Sequence, residues 1–258
     1  MKLYFKYVKF QIKTNLTYRS SSILAMIGQV MSIVVTLAGI FCLFEKFNTL
    51  GEYSLKDILI TYSIIIFIFS FDEMMFRGFD EFEDLTRNGE LDRLLLRPRN
   101  IVLQICGHKV EIMKIGRVIV GAILIIFACL YSNIEWNFLK VLIILEMIIS
   151  GIITFFGVYL LTSSITIFTI KKAEFINILT DGGKELCYYP LNIFKKFISK
   201  FFTFIIPFAS FNYMPLRYLL GFADANMWNI IYPLICIPFV VLSYLIFNLC
   251  MKKYKSCG

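Results

Sequence analysis

From residue 23 to residue 44 the chain carries no charged side chain. As a helix, at 1.5 Å per residue, that run reaches about 33 Å, close to the hydrocarbon thickness of a bilayer. A stretch like this leaves few ways to fold. In lipid, every backbone N–H and C=O must be paired inside the segment, and a helix achieves that on its own. The rest of the chain has the same character. Of 258 residues, 59% are hydrophobic and 17% are charged, against roughly 25% charged in a soluble domain. The mean hydropathy is +0.75. The expected class is an all-α integral membrane protein.

Further apolar runs follow at 55–71, 112–131, 138–170, 197–214 and 228–251, giving six expected transmembrane helices in one domain, 1–258. The second run opens on Lys56 and Asp57, and the third carries Lys114 and Arg117 in its first turns. The fourth is too long for one perpendicular crossing, so it should tilt, kink near Gly151 or Gly157, or project beyond the membrane. Pro207 interrupts the fifth run, and Pro233 and Pro238 interrupt the sixth.

Charge orients the runs. Basic residues crowd the segment before the first run (Lys2, Lys6, Lys9, Lys13, Arg19), the 72–111 segment (Arg77, Arg87, Arg93, Arg97, Arg99, Lys109), the stretch from Lys171 to Lys200 and the tail (Lys252, Lys253, Lys255). The alternate loops hold only Lys46, Lys56, Lys140 and Arg217 of the 26 Lys and Arg. The positive-inside rule places both termini in the cytoplasm of a multi-pass plasma-membrane protein. The net charge of +8 is accounted for by anionic lipid headgroups, so no nucleic-acid partner is implied. The first run is too long for the h-region of a secretory signal, and the bulky Cys42-Leu43-Phe44 lacks a cleavage pattern, so it is expected to remain as the first span.

Seven cysteines are scattered with no C-x-x-C spacing. Cys42 and Cys129, near the outer ends of two spans, are the conceivable bridge, though burial as small hydrophobes is the more ordinary fate. His108 is the single histidine and has no ligand-spaced neighbour, so no metal site is expected.

Two segments outside the lipid carry pattern. In residues 1–20, Lys2, Lys6, Lys9 and Lys13 fall on one helical face beside Tyr4, Val8 and Ile12, which predicts an interfacial amphipathic helix. In the 72–111 loop, Leu91, Leu94 and Leu95 repeat at i, i+3, i+4, the stripe of a helix with one apolar face. Asn88 and Gly89 suit its start, and Glu90 and Asp92 in the first turn suit the positive end of its dipole. Pro98 disfavours helical geometry at Arg97, so about two turns are predicted. Composition alone leaves this helix either a docking surface or an element packed on its own protein.

The residues Glu81-x-x-x-Leu85-x-Arg87-x-Gly89-Glu90-Leu91-Asp92-x-x-Leu95-Leu96-Arg97-Pro98 resemble the cytosolic loop of bacterial type-2 ABC exporter permeases of the G-E-L-D-x-x-L-L-R-P subfamily. Tyr189-Pro190-Leu191-x-Ile193-Phe194 is similar to that subfamily's Y-P-L-x-I-Y, with Phe194 in place of Tyr. Ile206-Pro207-Phe208, Tyr213-Met214-Pro215 and Leu219-Leu220-Gly221 match its ending. The resemblance covers essentially the whole chain in order. It implies a six-helix permease that pairs with a second permease subunit, identical or similar, and works with a separate cytosolic ATPase carrying a Walker A motif. It also implies that segment 88–97 is the coupling helix, with Leu91, Leu94 and Leu95 in a cleft of the ATPase and Glu90, Asp92, Arg93 and Arg97 at the rim.

ATP and magnesium then belong to the partner. Asp181-Gly182-Gly183-Lys184-Glu185 lacks the upstream glycine and the hydroxyl that a phosphate-binding loop needs, and reads instead as a flexible break in an amphipathic segment. Within the spans, Glu146 is the ionisable candidate for a polar site, although Ser150 or Thr154 would satisfy it equally well. The Thr162-Ser163-Ser164-x-Thr166 cluster fits either a substrate path or hydroxyls bonded back to the helix. With 27 Phe and 14 Tyr, the chain suits a hydrophobic or amphipathic cargo, moved outward as the resemblance implies, but lipid-facing and interfacial helices use the same aromatics. The resemblance also implies that residues 215–228, with Arg217, Tyr218 and Asp224, cap the outer face. The rival readings are a non-transporting scaffold or immunity protein and, with less support from its polar residues, a membrane-embedded enzyme.

Overall fold

The computed structural model describes residues 7–10, 19–169 and 177–254, which are helical apart from short connections and contain no strand. Among the described residues, five helices are long and apolar enough to cross a membrane: Ser20–Lys46, Leu55–Arg87, Ile112–Tyr131, Phe138–Ile167 and Trp228–Lys252. In finer division the chain forms α1 (Arg19–Lys46), α2 (Leu55–Asp80), α3 (Phe82–Arg87), α4 (Glu90–Leu95), α5 (Ile101–His108), α6 (Ile115–Tyr131) and α7 (Phe138–Thr169). After these come α8 (Gly183–Cys187), α9 (Lys196–Phe204), α10 (Phe208–Phe211), α11 (Tyr213–Leu220), α12 (Trp228–Ile231) and α13 (Cys236–Lys252).

The centre of the bundle is α2. Its start is capped by Asp57, whose carboxylate accepts the backbone N–H of Ser54 at 2.8 Å, the reciprocal half of a capping box. Ile58 to Ile66 are all buried, as are Ile68, Phe69 and Ser70. A helix apolar on every face belongs in the interior, and α6 and α7 pack on either side of it. The outer helices α1, α6 and α13 keep Ile, Leu, Val and Phe on the surface, the composition expected where the solvent is lipid.

Two expectations need correction. The second helix does not stop at residue 71; α2 runs on to Asp80, so the first part of the 72–111 segment is helix rather than loop. Its charges do not end it because they are paired, as described below. The fifth run, 197–214, is not one helix. It breaks into α9, α10 and the start of α11, because Pro207 has no N–H to donate to the preceding turn. Asn212 departs from the helical path and donates from Nδ2 to the carbonyl oxygen of Cys187 at 2.6 Å. These short helices hold an aromatic cluster in which Phe208 lies 5.0 Å from Phe155 and 5.5 Å from Phe202, ring centre to ring centre.

The fourth run keeps its length as one uninterrupted helix of 32 residues, about 48 Å, with no break at Gly151 or Gly157. Its excess projects past the bundle. Tyr159, Leu160 and Ile167 join Phe79, Phe82, Leu85, Leu91, Leu94, Val102, Ile105, Cys106 and Phe247 in a second, smaller core. In the predicted amphipathic helix of 1–20, Tyr7 to Phe10 are helical with Lys9 and Phe10 exposed. Lys2, Lys6 and Lys13, and also Lys171 and Lys172, lie outside the described residues. Cys42 and Cys129 are free thiols.

Candidate functional site

The short helix α4 sits at the tip of the second core. Asn88 closes α3, and Gly89 then turns the chain with φ +68°, a left-handed conformation that costs glycine little and other residues more. That turn lets two short helices follow one another with almost no connection. The far end of α4 is tied down by α5. Asn100 caps α5 by accepting the backbone N–H of Val102 at 2.9 Å. One turn further on, the buried side chain of Gln104 donates to the carbonyl oxygens of Leu94 at 3.1 Å and Arg99 at 3.2 Å.

The structure divides the predicted leucine stripe. Leu91 is 0% exposed and Leu94 is 5% exposed, both packed into the second core; burial of each contributes about 1.5–3 kcal/mol to the fold. They are committed to their own protein and cannot also fill a partner's cleft. Leu95 at 44% and Leu96 at 85% are the exposed pair. Arg93, Arg97 and Arg99, close to them in the chain, are exposed, as is Arg87 at the end of α3. Leu96 was quoted in the sequence motif but left off the apolar stripe, because a stripe drawn on helical spacing stops one residue short of it.

The remaining site residues have internal partners as well as surface. Glu90 lies 3.1 Å from Nε2 of His108, joining α4 to α5. Arg97 donates to the Tyr7 hydroxyl at 3.0 Å, so the N-terminal segment rests against the α4–α5 unit. Asp92 is half-buried and Arg93 is exposed.

Beneath this unit lies a layer of ion pairs, buried at Glu73 and Arg117 and partly exposed at Arg77 and Lys109, whose acids the sequence suggests are loop charges. Glu73 accepts from Arg117 at 2.7 Å and from Lys114 at 3.0 Å. Arg77 reaches Asp80 at 2.5 Å and Glu111 at 3.4 Å, and Lys109 pairs with Glu81. This layer ties α2 to the start of α6. Asp72, beside it, is fully buried with no hydrogen-bond partner for either oxygen.

The other candidates resolve by geometry. The Thr162–Thr166 hydroxyls bond back to helix carbonyls: Thr162 to Tyr159 at 3.0 Å, Ser164 to Leu160 at 2.7 Å and Thr166 to Thr162 at 3.0 Å. Ser163 also reaches across to the Phe79 carbonyl at 2.9 Å, pinning α7 to α2. Ser150 donates to the backbone carbonyl of Glu146 at 2.5 Å, and Thr154 donates to that of Ser150, so neither hydroxyl serves the Glu146 carboxylate. Glu146 itself is half-buried on α7. The 181–185 segment is not a flexible break: a π turn at Ile178–Gly182 leads into α8, and Gly183 is buried against Phe208. At the opposite end of the bundle, Arg217 bonds Asp224 and lies 4.7 Å from the Phe222 ring centre, beside a cavity of about 650 Å³ that Tyr213 and Trp228 help to line.

Five bilayer-length apolar helices among the described residues, α2 the buried one of them, with the charged layer gathered at one end, define an integral membrane protein. A family model described as ABC-2 family transporter protein matches residues 30–258, and the chain belongs to that family. It is therefore an ABC transporter permease, the transmembrane subunit rather than the ATPase. Among curated proteins and among solved structures, nothing matches it.

Proposed function

We propose that this chain is the permease subunit of a bacterial exporter, moving a hydrophobic or amphipathic cargo outward with ATP hydrolysed by a separate cytosolic subunit. Both termini and the α3–α5 unit face the cytoplasm in this reading, as the placement of the basic residues requires. Family membership supports the ATPase partnership. The observation that carries the docking assignment is the exposed Leu95–Leu96 pair, with exposed Arg93, Arg97 and Arg99 next to it in the chain, at the end of a helix whose other face is locked into a core. An apolar knob with an arginine rim suits a cleft that carries acidic residues on its edge, because guanidinium pairs with carboxylate through two parallel bonds.

The mechanism follows from the way α4 is held. Leu91 and Leu94 belong to a core shared with residues of α2, α3, α5, α7 and α13, and Gln104 clamps the end of α4. A push on Leu95 and Leu96 therefore moves the second core as a unit and, through it, the long helices. Two permease subunits, each driven by one of a closing pair of ATPases, would rock against each other and switch access to a path between them. Mild-detergent purification followed by mass spectrometry of co-purifying proteins tests this. A stoichiometric subunit with a Walker A sequence is the expected result; recovery of the chain alone, under conditions where other ABC complexes survive, would overturn it.

A further inference from the structure

Away from the α4 surface, a cavity of about 330 Å³ lies between α1, α2, α6 and α8. Ser32 and Thr36 line it from α1, Tyr62 from α2, Arg117 from α6, and Lys184 and Tyr188 from α8 and the residue after it. Three of the contributing helices are span helices, and Arg117 belongs to the charged layer at one end of the bundle, so this polar space lies where the spans meet that layer. Cationic side chains are costly there unless a partner neutralises them, and in a span they mark a binding or transport function by default.

The partners within the chain do not use all that these two cations offer. Arg117 is 8% exposed and gives one terminal nitrogen to Glu73, while its Nε is buried without a hydrogen-bond partner. The ammonium of Lys184 lies 4.5 Å from the Phe69 ring centre, and its carboxylate partner at 3.3 Å is Asp181, whose side chain is 61% exposed. The exposed Glu185 is the one acid among the described lining residues. On α1 the polar residues Gln29, Ser32 and Thr36 fall on one helical face. The Gln29 Oε1 is buried and unpartnered, and Ser32 is exposed, so the cavity opens at the bundle surface beside α1. Next to that opening α1 presents Met31, Val34 and Val35 to the surroundings. The volume corresponds to roughly ten water molecules, room for a compact head group but not for a long chain.

We propose that this cavity binds the anionic head group, phosphate or carboxylate, of an amphipathic cargo whose apolar tail stays outside along α1. Arg117 and Lys184 supply charge-assisted hydrogen bonds to the head group, and the tyrosine rings form its walls. The inference deepens the exporter reading by giving its cargo a chemical class, and it rests on that reading for the direction of movement; the binding step needs no ATPase.

The test is native mass spectrometry of the purified full chain in maltoside detergent, titrated with dioctanoyl phosphatidic acid and with dioctanoyl phosphatidylcholine. Wild type should bind the phosphatidic acid more tightly than the choline lipid, and Lys184→Gln should weaken phosphatidic acid binding about tenfold, the effect of losing one charge-assisted bond. Lys200→Gln, which removes an exposed lysine outside the cavity, should bind as wild type does. Equal binding of the two lipids, or equal loss in the two variants, would overturn the proposal. Inorganic phosphate should fail to displace the lipid; complete displacement at matched concentration would show a site for a free anion and sink the amphiphile assignment. Failure here with an ATPase still co-purifying refutes the head-group site alone, whereas intact lipid binding without any ATPase refutes the exporter reading.

Discussion

Gly78 on α2 lies directly beneath the carbonyl oxygen of Ile105 on α5: a Cβ at Gly78 would stand 2.1 Å from that oxygen. No real contact between such atoms is that short, and the obstructing atom is backbone, so a side chain here must push α5 away. Since α5 holds the end of α4 through Gln104, the close approach of these two helices positions the exposed leucines.

Gly78→Val should therefore loosen the α4–α5 unit while leaving the spans inserted. Cys106 is a built-in reporter, because it is 5% exposed and burial pushes its thiol up to about 12; a thiol, not yet a thiolate, reacts slowly. At pH 7.5 the wild type should resist maleimide at Cys106, and Gly78→Val should label readily. Equal labelling would mean that α5 tolerates the displacement.

The leucines on α4 should separate into two classes. Leu96→Asp and Leu95→Asp put a charge on an already exposed surface, where substitutions change stability by no more than about 0.5 kcal/mol, yet they should abolish co-purification of the ATPase. Leu94→Asp buries an unpaired carboxylate in the second core and should lower the melting temperature of the detergent-solubilised chain. Loss of ATPase binding with full stability in Leu94→Asp, but not in Leu96→Asp, would reverse the assignment.

Glu73 is the shared acceptor for Arg117 and Lys114. Glu73→Ala leaves two buried cations without their carboxylate, a loss of about 3–5 kcal/mol, and the chain should unfold at markedly lower temperature. The double variant Glu73→Gln with Arg117→Gln removes the charges of the more buried pair, leaving Lys114 to Glu111 at 3.9 Å, and should recover much of that stability. A double variant as unstable as Glu73→Ala would show that the ion pair itself, rather than the unpaired charge, is what matters.

At the other end of the bundle, acid should release the Arg217–Asp224 contact. The hydrogen bond from Arg217 holds the Asp224 carboxyl below its ordinary value of 3.8. A carboxyl with a depressed folded-state value stabilises the fold above the unfolded value, and that contribution is lost as pH falls through the folded one. The transition should therefore appear below pH 4. Trp228 lines the adjacent cavity and, with Trp136→Phe removing the second of two tryptophans, its fluorescence reports the change. Asp224→Asn should lack the acid step; an unchanged step would assign it to another carboxyl.

The apolar runs, the basic-rich segments and the Gly89 turn were legible in the sequence because each depends on local chemistry. Residues 23–44 can satisfy their backbone in lipid only as a helix, whatever they pack against. The existence and bounds of α4 followed in the same way from Gly89, the leucine spacing and Pro98. Other features depended on partners distant in the chain. Charge alone made residues 72–80 read as loop, since nothing local shows that Lys114 and Arg117, some forty positions on, would neutralise Glu73. Hydropathy alone made 197–214 read as a span, although Pro207 and the bond from Asn212 to Cys187 break it into short helices. Which leucines stay free for a partner was likewise a matter of tertiary structure. A helical stripe records which residues share a face, and only the assembly of the second core, with α3 and α5 against α4, determined that Leu91 and Leu94 are covered while Leu95 and Leu96 are not.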